Sequence, residues 1–204
     1  RRQRQMCIRD SIAASAGRVF GGFFLAMLVA IPLAYFFYYS PASEKRAKLL
    51  LEALRFIPPL SLIPLLILWL GIGEAAKLSI VFLASFFPIY LNVFSGFKQI
   101  DKSYKELAFM LRLNRMERFK HIEFPASLPN IFTGLRLGFG YSWRALVGAE
   151  LIAASSGLGY LIGDASEMSR TDKVFVGILC IAVLGVFGDQ LFQLFGKRLT
   201  CLLY

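Results

Sequence analysis

VFGGFFLAMLVAIPLAYFFYYSPAS, residues 19–43, carries no charged side chain in 25 residues. A stretch this long and this apolar is long enough to cross the hydrocarbon core of a bilayer as a helix, which takes about 20 residues. The rest of the chain repeats the pattern. Residues 56–73 and 78–97 add apolar segments of 18 and 20 residues. Residues 130–154 form a fourth, interrupted by Arg136, Arg144 and Glu150, and residues 174–196 form a fifth that contains only Asp189. The 204 residues are 57% hydrophobic and only 18% charged, with a mean hydropathy of +0.61. Soluble domains usually carry about a quarter charged residues. The expected fold is therefore all-α: a polytopic membrane bundle of about five transmembrane helices.

The distribution of Lys and Arg orients the bundle. Lys45, Arg46, Lys48 and Arg55 follow the first segment, and Lys98 to Lys120 after the third includes seven basic residues. Lys197 and Arg198 lie in the tail. The intervening loops are poor in net positive charge. These basic regions are expected to face the cytoplasm, so the net charge of +10 reads as loop charge and not as a nucleic-acid surface. Pro58, Pro59 and Pro64 are expected to shorten or kink the second segment, and Pro32 and Pro88 to bend the first and third.

Residues 1–10 (RRQRQMCIRD) and 200–204 (TCLLY) resemble translated adapter sequence. A single transmembrane domain is expected to occupy residues 11–199, with natural sequence extending beyond both ends.

Residues 98–129 read KQIDKSYKELAFMLRLNRMERFKHIEFPASLP. Ser103 followed by Glu106 has the pattern of a capping box. Tyr104, Leu107, Ala108 and Leu111 then recur at helical spacing. The reading is a short amphipathic helix at about 104–111, a second piece at about 116–122, and Pro125 and Pro129 leading into the fourth span. A solvated linker would not interleave so many apolar residues with its charges. They need a surface to bury on, either the bundle or a partner that accepts a helix in a groove.

These residues resemble the EAA loop of ATP-binding-cassette importer permeases: a glutamate (Glu106), an alanine two positions on (Ala108), a glycine four further, then Ile-x-Leu-Pro (Ile122, Phe124, Pro125). Residues 58–74, 124–151 and 157–162 are similar to the nitrate, sulfonate and taurine branch of that family. The resemblance covers nearly the whole chain, and it implies a type I importer permease fold. It implies a second permease copy, two cytoplasmic ATPase subunits, an extracytoplasmic solute-binding protein, and a bacterial inner-membrane location. ATP and Mg²⁺ would be held by the ATPase; this chain has no glycine-rich phosphate loop of its own, binds no cofactor on this reading, and is not an enzyme. The ATPase-coupling residues would be Tyr104, Glu106, Leu107, Ala108, Leu111, Arg112, Arg115, Ile122 and Pro125. One position departs from the pattern. Arg112 stands where the family has glycine, so the turn is expected to shift to Asn114 or the helix to run on.

Ionisable groups within spans are functional candidates. Arg136 lies close enough to the loop to snorkel. Arg144 and Glu150, six residues apart, do not share a helix face. Each faces the translocation route or the partner permease, or pairs with another helix. Trp143 lines a pathway or marks packing, and Gly157 and Gly159 suggest a turn into a short re-entrant or interfacial helix near an outer gate. A membrane-embedded protease would need a Ser–His pair, two intramembrane aspartates or a His-Glu-x-x-His zinc motif. The one histidine, His121, is in the loop, and Cys7, Cys180 and Cys201 have no metal-site spacing.

Overall fold

The computed structural model describes residues 2–201, with side chains from residue 9 onward except 105, 153, 197 and 199–201. Among these residues the chain is helical and contains no strand. Helix α1 (Arg2–Tyr39) is followed by α2 (Pro41–Phe56), a 3₁₀ turn (Pro59–Leu62), α3 (Ile63–Leu70) and α4 (Glu74–Lys98). The loop helices α5 (Lys102–Met110) and α6 (Arg115–Arg118) lead through a π turn (Phe119–Glu123) into α7 (Phe124–Ala153). Helices α8 (Leu158–Glu167) and α9 (Thr171–Cys201) complete the chain.

Three of these helices are long and apolar enough to span a membrane: residues Arg9–Tyr39, Glu74–Lys98 and Thr171–Gly196. Helix α7, at 30 residues, is about 45 Å long and has the length to cross, but carries the three charges. The second expected span departs from the sequence reading. Residues 56–73 do not form one helix. Pro41–Phe56 and Pro59–Leu70 are bent by 86° at the Pro58–Pro59 pair, and α3 has 8 residues, about 12 Å. Proline removes the N–H that would continue the ladder, and the residue before it avoids helical backbone; Ile57 is accordingly extended, with ψ 116°. The basic loop expected after the first span is helix α2, started by Pro41 at its first position. By contrast Pro32, Pro88 and Pro129 sit inside continuous helices.

Helix α4 lies between α1 and α7. Val19, Phe23, Ala26, Ala30, Ala34 and Phe37 recur every three or four residues and form the buried stripe of α1. On α7 the stripe is Leu135, Phe139, Trp143 and Leu146. The opposite faces are as apolar as the core: Phe20, Phe24, Leu28 and Phe36 on α1 and Phe175, Leu179, Val183 and Phe187 on α9 are exposed. A helix apolar on all sides is suited to a lipid surround. Small residues let the backbones approach. A Cβ on Gly22 would lie 2.7 Å from the Val81 side chain, and one on Gly138 would lie 2.7 Å from Ile89.

These contacts predict that Gly22→Val and Gly138→Val each overpack a helix crossing and destabilise the chain by about 1–3 kcal/mol. Thermal unfolding in detergent should fall for both. Gly17→Ala, whose added carbon meets nothing within 4 Å, should not lower it.

Candidate functional site

The loop between α4 and α7 is built from local caps. Asp101, not Ser103, caps α5: its carboxylate accepts the Ser103 N–H at 2.9 Å and the Ser103 hydroxyl at 2.7 Å. These bonds hold the Asp101 carboxyl below the usual carboxylate range. The expected Ser103–Glu106 capping box is therefore displaced, because an aspartate two residues earlier reaches the same amide. The capping box that does form joins Asn114 and Glu117 and starts α6.

Arg112 resolves differently from both sequence alternatives. It adopts the left-handed conformation itself, with φ 49°. The Leu113 N–H donates to the Ala108 carbonyl and the Arg112 N–H to the Phe109 carbonyl, both at 3.1 Å. This pair of bonds is a Schellman motif, normally completed by glycine. The turn neither shifts to Asn114 nor lets the helix continue. Its two hydrogen bonds hold a residue for which this backbone costs about 1–2 kcal/mol.

The π turn fastens the loop to the bundle. Glu123 is buried; it accepts from the Tyr39 hydroxyl and from Arg118 Nε, each at 2.6 Å. Arg115 and Arg118 lie over the Tyr39 ring at 6.0 and 5.5 Å, within cation–π range. Phe119 stacks edge-on against Tyr35 at 4.5 Å between centroids. Ile122 is buried and Pro125 half-buried in the first turn of α7. Sequence reasoning missed Glu123 and Tyr39, although a lone carboxylate between Ile122 and Phe124 was a usable signal.

Of the four residues read as one apolar face of α5, Ala108 alone is buried. Tyr104, Leu107 and Leu111 are exposed, and Phe109 and Met110 stand 86% and 78% exposed. Glu106 is exposed beside them. The bundle does not cover this face.

The three charges of α7 go to three different places. Arg136 pairs with Asp189 of α9, Nη2 to Oδ2 at 2.8 Å, so it does not snorkel alone. Glu150 is 1% exposed. Its carboxylate accepts from Arg18 Nη1 at 2.7 Å, from Ser15 Oγ at 2.8 Å and from the Gly159 N–H at 3.0 Å. Arg18 also forms a two-pronged bond with Glu74, at 2.6 and 2.7 Å, and Lys77 reaches Glu74 at 3.1 Å. Two cations and two carboxylates thus balance where α1, α4, α7 and α8 meet. Glu150 belongs to an interhelical ion network, the ion-pair alternative of the sequence reading. Ser15, Arg18, Glu74 and Lys77 were not legible as partners, since they lie far from Glu150 in sequence. Gly157 has φ 123°, and a Cβ there would overlap the Glu150 carboxylate. A Cβ on Gly159 would lie 2.5 Å from the Val147 carbonyl. Both glycines therefore serve the close approach of the start of α8 to Glu150, and α8, which begins directly after Gly157 and includes Gly159, is the short helix expected there.

Trp143 is buried, and its indole N–H donates to the Ile181 carbonyl of α9 at 3.2 Å; it marks packing. Arg144 is exposed. Its Nε donates to the Gly140 carbonyl at 3.1 Å, and the guanidinium lies 5.0 Å over the Tyr141 ring. It opens on a cavity of about 510 Å³ between α4, α7 and the Pro58–Pro59 bend, whose lining includes Ile57, Phe87, Asn92 and Leu137.

Residues 22–200 match the family model described as binding-protein-dependent transport system inner membrane component. The chain is 38% identical over 178 residues to a putative aliphatic sulfonates transport permease of Bacillus subtilis, covering 87% of this chain and 64% of the relative. It is 35% identical over 189 residues to the taurine transport system permease of Escherichia coli, covering 93% and 69%. It is 32% identical over 179 residues to a nitrate import permease of Synechocystis, covering 88% and 65%. The chain thus spans about two thirds of the length of these relatives. In fold it is similar to a chain of the inward-facing MetNI methionine ABC transporter, with a TM-score of 0.83 at 15% identity over 99% of this chain and 98% of that one.

Two outcomes follow from the geometry. Glu150→Ala should destabilise the bundle by about 3 kcal/mol by leaving buried donors unmatched. Gly157→Ala should act through the same carboxylate, so the double variant should lose less than the sum of the two, read as thermal midpoints in detergent. Arg112→Gly should stabilise the α5 end by about 1 kcal/mol, seen as about fivefold slower amide exchange at Leu113.

Proposed function

Since the chain belongs to the family of binding-protein-dependent transport system inner membrane components, we propose that it is the permease subunit of an ATP-binding-cassette importer. It works as a pair of copies in the bacterial inner membrane. Two cytoplasmic ATPase subunits bind beneath it, and an extracytoplasmic binding protein delivers the solute. The solute is small, of the sulfonate, taurine or nitrate kind or a nitrogen heterocycle. The loop between α4 and α7 faces the cytoplasm.

The observation that carries this reading is the uncovered apolar face of α5 in the most basic segment of a membrane chain. Phe109, Met110, Leu107 and Tyr104 form a surface suited to a cleft on a partner. Glu106 and Arg112 flank it, and Arg115 sits at the turn into α6. Ala108, Ile122 and Pro125 face inward and set the shape of the loop. Their role is positioning, not contact with the ATPase.

Coupling follows from how the loop is fastened. ATP and Mg²⁺ bind to the ATPase subunits, and closure of the ATPase pair on ATP displaces α5. The Schellman turn at Arg112 and the Asn114–Glu117 box transmit that displacement without a flexible hinge. Glu123 passes it to α1 through Tyr39, and the π turn passes it directly to α7. The helices then reorient between inward- and outward-facing arrangements, which is alternating access.

The test is association. Phe109→Ala should weaken ATPase binding by about 2 kcal/mol, about 30-fold, as expected for a central aromatic anchor. Glu106→Ala should weaken it less. Uptake by the assembled importer should fall in parallel while thermal stability of the chain is unchanged. Unaltered co-purification and uptake in both variants would contradict the assignment of this face.

A further inference from the structure

Arg144 differs from the other intramembrane charges. Arg136 has Asp189, and Arg18 has Glu74 and Glu150. Arg144 makes no ion pair with any described carboxylate; its contacts are the Gly140 carbonyl and the Tyr141 ring. Counting from Ala153, it lies about 13 Å along the axis of α7 from the C-terminal end. Charged side chains within spans ordinarily pair or face a water-filled cavity. Arg144 lines the cavity of about 510 Å³ at the Pro58–Pro59 bend.

The chemistry of this position is specific. A guanidinium stays protonated at any physiological pH. Its Nε is occupied by Gly140 and its plane rests over Tyr141, which fixes the orientation of the fork. The two terminal nitrogens remain for a ligand. Paired donors in this geometry match the oxygens of a planar or tetrahedral oxoanion. Apolar walls around them, such as Phe87 and Leu137, raise the strength of that attraction above its value in water and accept a short hydrocarbon portion.

We propose that Arg144, which lines the groove together with Arg55 at the end of α2, is its solute-contacting cation, and that it recognises the oxoanion group of a small sulfonate or nitrate-like solute during passage. This deepens the importer reading and rests on it. Leu137 lies two turns before Arg144 on the same helix, and Phe87 of α4 and the Pro58–Pro59 bend supply the other walls of the groove.

Cysteine accessibility tests it with probes that do not depend on which solute is carried. Leu137→Cys is introduced into the full-length chain with Cys7, Cys180 and Cys201 replaced by serine, reconstituted in phosphatidylcholine nanodiscs with its ATPase. Two water-borne methanethiosulfonates of similar size are compared, the anionic 2-sulfonatoethyl and the cationic 2-(trimethylammonium)ethyl reagents, each normalised to a free thiol. The anionic-to-cationic rate ratio should be about tenfold higher with Arg144 present than in Arg144→Gln, and Arg144→Lys should retain most of the preference. An unchanged ratio in Arg144→Gln would overturn the proposal. So would failure of both reagents to react, which would mean that lipid fills the groove and its phosphate is the counter-charge. Absence of the ATPase from the purified wild-type complex would count against the importer reading instead, and the rate ratio would still report on Arg144.

Discussion

The bundle depends on one buried carboxylate. Glu150 sits inside a membrane-length helix at 1% exposure, where an unmatched charge costs several kcal/mol. Every donor that matches it comes from somewhere else in the fold. Ser15 and Arg18 require α1 alongside α7, and the Gly159 N–H requires the chain to turn back sharply after Ala153. That turn needs Gly157 at φ 123°. Arg18 in turn requires Glu74, which fixes the start of α4. One charge therefore sets the relative placement of four helices at this end of the molecule, and apolar ridges with small residues complete the packing below it.

The opposite end is held by a second buried carboxylate, Glu123, with a different job. It ties the π turn to Tyr39 at the end of α1. A π turn disturbs the regular ladder and often marks functional positions in helices. Here it lets the loop run into α7 without a break while aiming Glu123 at Tyr39. On the proposed reading, the first carboxylate keeps the helices registered while the second passes a displacement from α5 into them. Arg144, between the two, is left facing open space.

Much of this was legible in the sequence. The spans of α1 and α4 follow from uninterrupted apolar runs and that of α9 from a run broken only by Asp189, and the loop helices follow from the spacing of Tyr104, Leu107 and Leu111 among charges. The Pro58–Pro59 pair announced a disturbance, but not that the chain would turn by 86°, because the direction of a bend depends on what the flanking helices meet. The cap of α5 was misplaced by two residues, since the carboxylates of Asp101 and Glu106 compete for the Ser103 N–H and only geometry decides between them. Arg112 was expected to avoid a left-handed backbone on its own propensity; two local hydrogen bonds, to Ala108 and Phe109, outweigh that preference. The partners of Glu150 were hidden because ion pairs between helices leave no local spacing signal. Arg18 stands one residue before the uncharged run that identified the first span, so it read as a boundary and not as a core group.

The central claim is that the apolar face of α5 is a contact surface for an ATPase and not a surface for lipid or for the chain itself. A photoreactive phenylalanine at position 109, in cells making the chain together with its ATPase, tests this directly. The account predicts an ultraviolet-dependent adduct with the mass of the chain plus one ATPase subunit, absent when the same probe replaces Ile72 at the opposite end. An adduct of two copies of this chain, or adducts with lipid alone, would contradict it.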